Sequence, residues 1–304
     1  MCAMFVFAFF VLLIHLHQQT NTSAKTHKNY LTKHSLVEVI PHDSDCYTQG
    51  LAYSDGLLYE SCGINGKSSV REVDPISGQV IRLIRLSDDI FAEGLVIIDD
   101  IIYVLTWKNK FMLVIDRKTM TLVGKYSYRT HSGEGWGLTY DGKQFIVSDG
   151  SSRLSFFDVP DISKLSRGGF FQFQLKKTRE VIVRDGAKKE IVSINELEWL
   201  GDDHIYANVW YKDFILKINV VDGTISEHLD LYHLYPYKSR TKNADCLNGI
   251  ALNATDNTLL LTGKLWPHYY KIKVVQVDSV SHLKSGAQKS NRLINNSKTD
   301  GVDL

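Results

Sequence analysis

A short phrase recurs along the chain: Gly-Leu or Gly-Ile, a polar turn, then an apolar strand, often with a Tyr. It reads Gly50-Leu51 to Tyr59, Gly94-Leu95 to Tyr103, Gly137-Leu138 to Ile146 and Gly249-Ile250 to Leu261. A degenerate copy, Leu197 to Tyr206, sits between the last two. Five copies at a spacing of about 40 to 60 residues match the period of β-propeller blades. A propeller gathers its innermost strands around one axis, so residues distant in sequence but equivalent in the repeat converge on one pocket.

The 304 residues suffice for one large all-β domain, and 44% hydrophobic with 23% charged residues is an ordinary globular balance. A formal charge of +1 with no Lys/Arg-rich block argues against nucleic acid or an acidic membrane as partner, since both demand concentrated basic surface. The expected partner is a small molecule or a peptide.

The N-terminus differs in kind. Met1 to Ile14 is almost wholly apolar, and polar residues follow through Asn21-Thr-Ser-Ala24. That run is too short to span a bilayer and fits a signal-peptide core, although no Lys or Arg precedes it. The organisation expected is therefore a signal peptide over 1–24, a linker over 25–33, the propeller over 34–275 and a disordered polar tail over 276–304. The destination is the secretory pathway, secreted or lumenal, without membrane attachment once the signal is removed. In an oxidising compartment Cys46 and Cys62, which flank the Ser54-Asp55-Gly56 turn, either form a disulfide or remain buried thiols alongside Cys246. Asn253-Ala-Thr255 and Asn295-Asn-Ser297 are glycosylation sequons.

Alternation and turn residues favour strands throughout, with no sustained helical period. The first blade is expected at Tyr47–Tyr53, Leu57–Gly63, Ser69–Val73 and Val80–Arg85, and the second at Gly94–Ile98, Ile101–Trp107, Phe111–Asp116 and Thr121–Ser127. The third takes Gly137–Tyr140, Gln144–Asp149, Arg153–Asp158 and a strand near Phe170–Leu175. A charged insertion, Asp161–Ile194, precedes the fourth repeat. The fifth, Cys246–Leu252, Leu259–Gly263 and Tyr269–Val275, lacks an outer strand. His34–Ile40 has strand alternation and no partner in its own blade, so it is expected to complete blade five and close the ring.

The unusual side chains fall at repeat-equivalent places. Gln49, Glu93, Trp136, Asn195-Glu196 and Asn248 occupy the approach to the first strands, and Trp107, Asp149, Trp210 and Lys264 follow the second strands. Taken singly, each has a bland role: tryptophan packing, a rim charge, a turn cap. Together, one carboxylate, one amine, carboxamides and three indoles describe an aromatic pocket with a few convergent polar groups. No hydrolase or zinc-enzyme motif accompanies them, which leaves proton transfer by a buried carboxylate as the chemistry.

The chain resembles the plant-type glutaminyl cyclases (glutaminyl-peptide cyclotransferases). The resemblance rests on Tyr47-Thr-Gln-Gly-Leu51, Gly66-Lys-Ser-Ser-Val-Arg71, Phe91-Ala-Glu-Gly-Leu95, Leu105-Thr-Trp107, Gly135-Trp-Gly-Leu138 and Ser148-Asp-Gly-Ser-Ser152. It continues through Asn195-Glu-Leu-Glu198, Ala207-Asn-Val-Trp210, Cys246-Leu-Asn-Gly-Ile250 and Thr262-Gly-Lys-Leu-Trp-Pro267. It implies a five-bladed propeller that converts N-terminal glutamine of peptides or proteins to pyroglutamate and releases ammonia. On it, Glu93, Lys264 and Asn195 form the catalytic set, Glu93 being the acid/base. Gln49, Trp107, Trp136, Glu198, Trp210 and Tyr47 bind the substrate. No residue is assigned to a metal and no cofactor is required, with room left for a structural cation in the central channel.

The expected reaction is attack of the substrate's α-amine on its own side-chain amide. The indoles hold the curled geometry, Glu93 moves the proton, and Lys264 or Asn195 stabilises the oxyanion. The main alternative is a secreted, non-catalytic propeller that only binds. A calcium-dependent lactonase propeller would need several channel-facing carboxylates, and the sequence offers mainly Glu93, Glu196 and Glu198.

Overall fold

The fold is taken from a computed structural model that describes residues 31–162 and 172–275. The expected signal peptide, most of the linker, the C-terminal tail and the Asn295 sequon lie outside the described residues.

Turn chemistry sets the strand pattern. Asp55 and Gly56 both take positive φ (51° and 81°), the type I′ geometry whose twist matches a tight hairpin. They join β2 (Thr48–Ser54) to β3 (Leu57–Cys62), and β4 (Ser69–Val73) with β5 (Val80–Arg85) completes blade one. Blade two is β6 (Ala92–Ile98), β7 (Ile101–Thr106), β8 (Phe111–Asp116) and β9 (Thr121–Ser127). Blade four is β15 (Ile194–Gly201), β16 (His204–Val209), β17 (Phe214–Asn219) and β18 (Ile225–Asp230).

Blade five is β19 (Leu247–Asn253), β20 (Thr258–Gly263) and β21 (His268–Val275), with β1 (Leu31–Pro41) as its outer strand. β1 lies antiparallel to β21 from Lys33↔Val275 to Pro41↔His268, so the N-terminal strand closes the ring as expected. Its first residues also run parallel to β18, which joins blades four and five at their outer edges.

Blade three corrects the sequence reading. It comprises β10 (Leu138–Tyr140), β11 (Gln144–Ser148), β12 (Arg153–Asp158) and, as outer strand, β14 (Lys177–Ile182) rather than Phe170–Leu175. The described part of that expected strand, β13 (Gln172–Gln174), instead pairs parallel with β9 on blade two. The charged Lys177-Thr-Arg-Glu stretch is an exposed edge, where charge discourages further pairing.

The core is divided among the blade interfaces. Five apolar clusters lie between successive blades; four contain eleven to thirteen described buried residues, whereas the seam between blades five and one has seven. That seam also carries a polar network. His42 Nε2 contacts Glu60 Oε1 at 3.0 Å, while Thr48 Oγ1 and Tyr269 Oη donate to the Glu60 carboxylate at 2.7 and 3.0 Å. A disulfide between Cys46 and Cys62 ties the segment ahead of β2 to the end of β3, and Cys246 is a buried free thiol.

The repeated glycine has a packing cause. A Cβ on Gly94 would collide with the Leu138 amide and the Trp136 carbonyl, and one on Gly137 with the Asn195 carbonyl. The innermost strands therefore approach backbone to backbone around the axis. In the degenerate repeat this place is taken by Glu196, whose carboxylate accepts the Leu51 and Ile250 amides at 3.3 and 2.9 Å.

Candidate functional site

Two local devices aim side chains at the mouth of the channel. First, the ladders of β2, β6, β15 and β19 with their partners shift register at Thr48/Gly50, Ala92/Leu95, Ile194/Leu197 and Leu247/Ile250. Gln49, Glu93, Asn195 and Asn248 sit at these irregularities, which free a residue from the regular alternation and redirect it. Second, the chain turns sharply after the second strands. Ile64, Gly150, Tyr211 and Leu265, each two residues beyond a strand end, all have positive φ. The preceding residues include Trp210 and Lys264, which are thereby held at the mouth. Ile64, at φ 84°, is β-branched, a strained conformation that its surroundings must enforce.

These devices build a cavity of about 370 Å³ lined by Tyr47, Gln49, Ile64, Phe91, Glu93, Trp107, Trp136, Asn195, Trp210 and Lys264. Its size lies within the range of about 300 to 1,000 Å³ usual for small-ligand sites. Aromatic rings form a belt around it. Tyr47 meets Phe91 edge-on at 6.3 Å, Phe91 lies 5.5 Å from Trp107, and Trp136 meets Trp210 edge-on at 5.5 Å. Gly150 allows Trp136 to settle, since a Cβ there would press on the indole at 2.6 Å.

The polar groups are few. Glu93 is 4% exposed, and its Oε1 accepts a hydrogen bond from Gln49 Nε2 at 2.9 Å. Burial pushes its carboxyl well above the usual carboxylate range; Lys264 opposes this and Glu134 reinforces it. The Lys264 ammonium lies 4.9 Å from the Tyr47 ring centroid, and Tyr47 Oη donates to Asp245 at 2.7 Å. Two cavity-lining carbonyl oxygens, Gln49 Oε1 and Asn195 Oδ1, are buried and have no hydrogen-bond partner among the described residues. A buried acceptor left open is costly unless something supplies a donor.

Eight of the nine residues expected at the site line this cavity; Glu198 does not. It stands two residues after Glu196 on β15, and its Oε1 accepts the Leu252 amide at 2.7 Å. Desolvation raises its pKa to about 8, and as a half-buried acid it satisfies backbone and is not a wall of the pocket. Ile64 and Phe91 line the cavity without having been singled out as site residues, whereas Asp149, noted after the second strand of blade three, does not line it and instead caps the loop by accepting the Ser132 and Ser151 amides.

The residue missed altogether is Glu134. Its Oε2 accepts both Trp107 Nε1, at 2.7 Å, and Trp136 Nε1, at 2.9 Å. Its position between Gly133 and Gly135, two residues ahead of a pocket tryptophan, was the available signal.

The grouping of His42, Cys46 and Glu60 places three ligand-type atoms within 4.8 Å, but Cys46 is committed to its disulfide and is not a free thiolate ligand. Asn253 is buried and its Oδ1 accepts the Thr255 amide, so this sequon is poorly presented on the folded domain.

Known proteins resemble this chain over most of its length. The family model described as glutamine cyclotransferase matches residues 8–274. The chain is 34% identical over 266 residues to a glutaminyl-peptide cyclotransferase of Arabidopsis thaliana, an alignment covering 86% of this chain and 78% of that protein. The crystal structure of Myxococcus xanthus glutaminyl cyclase superposes with a TM-score of 0.69 at 28% identity, covering 83% of this chain and 100% of the other.

Proposed function

The chain belongs to the glutamine cyclotransferase family, and we propose that it cyclises N-terminal glutamine of peptides or proteins to pyroglutamate with release of ammonia. The observation that carries this reading is a buried carboxyl, Glu93, opening into an indole-lined cavity with one oxygen held by Gln49.

The chemistry needs no second reactant. The α-amine nitrogen forms a bond to the side-chain Cδ, and the bond from Cδ to the amide nitrogen breaks to release ammonia. Catalysis therefore amounts to curling the glutamine and moving protons. Trp107, Trp136 and Trp210 surround the methylenes in the curled geometry, converting chain flexibility into a near-attack arrangement. The Glu93 carboxylate accepts the proton from the attacking nitrogen and returns it to the departing one. Its elevated pKa makes it a stronger base than an exposed glutamate.

Lys264 supplies positive charge to the oxygen that becomes negative as Cδ turns tetrahedral. Gln49 Oε1 and Asn195 Oδ1, the two open acceptors, take N–H groups of the substrate, which assigns Asn195 to orienting nitrogen while Lys264 serves the oxyanion. The step is carried by side chains, without a metal. We further propose that the protein matures in the secretory pathway, supported by its apolar N-terminal run and the Cys46–Cys62 disulfide. Among the described residues no helix is long and apolar enough to cross a membrane.

The test is to incubate the purified protein with a glutaminyl peptide and follow ammonia and the matching mass loss, with and without EDTA. Turnover unaffected by EDTA is expected. No ammonia above the uncatalysed background would leave a propeller that only binds, and loss of turnover in EDTA would overturn the metal-free mechanism.

A further inference from the structure

The two pocket indoles on blades two and three are not fixed by packing alone. Trp107 follows β7 and Trp136 precedes β10, and both direct their N–H groups to the same oxygen of one carboxylate. We infer that Glu134 is a positioning residue of the site, a single carboxylate clamp that sets the relative orientation of Trp107 and Trp136 and so the shape in which the glutamine side chain must curl. The inference rests on the functional reading above and extends it to a residue that does not line the cavity.

Glu134 is itself held from several directions. Thr130 Oγ1 donates to its carbonyl at 2.5 Å, and its amide donates to Ser132 Oγ at 3.2 Å. Ser132 is anchored in turn on Asp149, whose Oδ2 accepts the Ser132 amide at 2.7 Å and whose carbonyl accepts Ser132 Oγ at 2.8 Å. Gly135 closes the arrangement: its amide reaches the Trp107 carbonyl at 3.2 Å, and a Cβ there would collide with the Tyr128 hydroxyl. The Lys108 ammonium lies 3.9 Å from Glu134 Oε1 and 3.9 Å from the Trp107 ring centroid, so it backs the same indole from outside. A carboxylate oxygen can accept both N–H donors at once, and one anion shared by two donors fixes an angle that two separate acceptors would not.

The clamp also acts through its charge. Glu134 is one of the groups that hold the Glu93 carboxyl above its ordinary range, although it touches neither that residue nor the cavity. Removing the charge while keeping an acceptor oxygen separates the two roles. E134Q retains a carbonyl for the indoles and loses the charge; E134A loses both.

The experiment measures kcat, KM and the pH dependence of kcat/KM for wild type, E134Q and E134A on one glutaminyl peptide. Near-UV circular dichroism reports the indoles, and thermal melting reports folding. In E134A the indole ellipticity changes and kcat/KM falls by about 100-fold, the scale of a misplaced reacting geometry. In E134Q much of that activity returns, and the acidic limb of the profile moves to lower pH because Glu93 loses a negative neighbour. Wild-type kinetics and ellipticity in E134A, or an E134Q as impaired as E134A with an unmoved acidic limb, would overturn the inference. Should the wild type itself release no ammonia, the functional reading fails, and the indole ellipticity of E134A against E134Q still decides whether the clamp exists.

Discussion

Glu60 and Glu93 are both buried carboxyls, one at the closing seam and one at the mouth, yet their surroundings push them in opposite directions. Burial would raise both. At Glu60 the imidazolium of His42, the Thr48 hydroxyl donor and the charge of Arg71 overcome burial and hold the carboxyl below its usual range. At Glu93 one carboxamide donor and the charge of Lys264 do not, so burial wins. Burial alone therefore does not make a base; what matters is whether the carboxylate is left wanting a proton and faces open space. Glu196 and Glu198 underline this, since burial raises both while backbone amides occupy them away from the cavity.

The largest effect expected is on turnover. Glu93→Gln should lower kcat/KM by about 10²- to 10⁴-fold, the range of a general acid–base group, while melting at neutral pH no lower than wild type. The sign follows from linkage: a carboxyl whose folded pKa is raised weakens the fold as pH climbs toward that value, and the amide removes this cost. A variant that keeps its rate, or loses its fold, would break the contrast.

Glu60→Gln should do the reverse. Leaving His42 buried without its anion costs about 3–5 kcal/mol of stability, read from denaturant unfolding, with turnover per folded molecule unchanged. The disulfide comes next. Replacing Cys46 and Cys62 by Ser should cost about 3 kcal/mol, as for other short closed loops, measured in the same unfolding series.

A smaller effect sharpens the comparison through pH. Burial works against the charged His42, but the Glu60 carboxylate prevails and its pKa is raised from the usual 6.5. That contribution is complete below 6.5 and fades as pH rises through the raised value. Glu60, lowered from 4.5, contributes fully above 4.5, and its share fades as pH falls through the lowered value. The melting-temperature gap between wild type and Glu60→Gln should be widest between those limits and narrow on either side. A gap independent of pH would show that the pair is not ionised.

Much of this was legible because the Gly-Leu phrase marks a physical event. The glycine is where neighbouring inner strands touch, and the residue before it faces the mouth, at a register shift for Gln49 and Glu93 and just ahead of β10 for Trp136; Asn195 holds the same place ahead of Glu196, so reading the repeat located all four together. Glu198 enters only through the family resemblance, and it stands two places beyond Glu196 on β15, off the cavity, with its carboxylate accepting the Leu252 amide. Glu134 stayed hidden because it belongs to a loop outside the repeat, and its role is a hydrogen-bond geometry that sequence spacing does not encode. The outer strand of blade three was misplaced for an energetic reason. Phe170–Leu175 is the more apolar stretch, but an outer edge needs only one covered face and favours charge, as in Lys177–Ile182.

Burial should make the Glu93 carboxyl hold its proton far more tightly than an exposed glutamate, and this proton should move in the reaction. Selective ¹³C labelling of glutamate side chains, with Glu93→Gln to assign the signal, allows direct titration by NMR. The expected midpoint lies well above 4.5 and coincides with the acidic limb of kcat/KM. A midpoint at or below 4.5, or a limb that titrates elsewhere, would contradict that expectation.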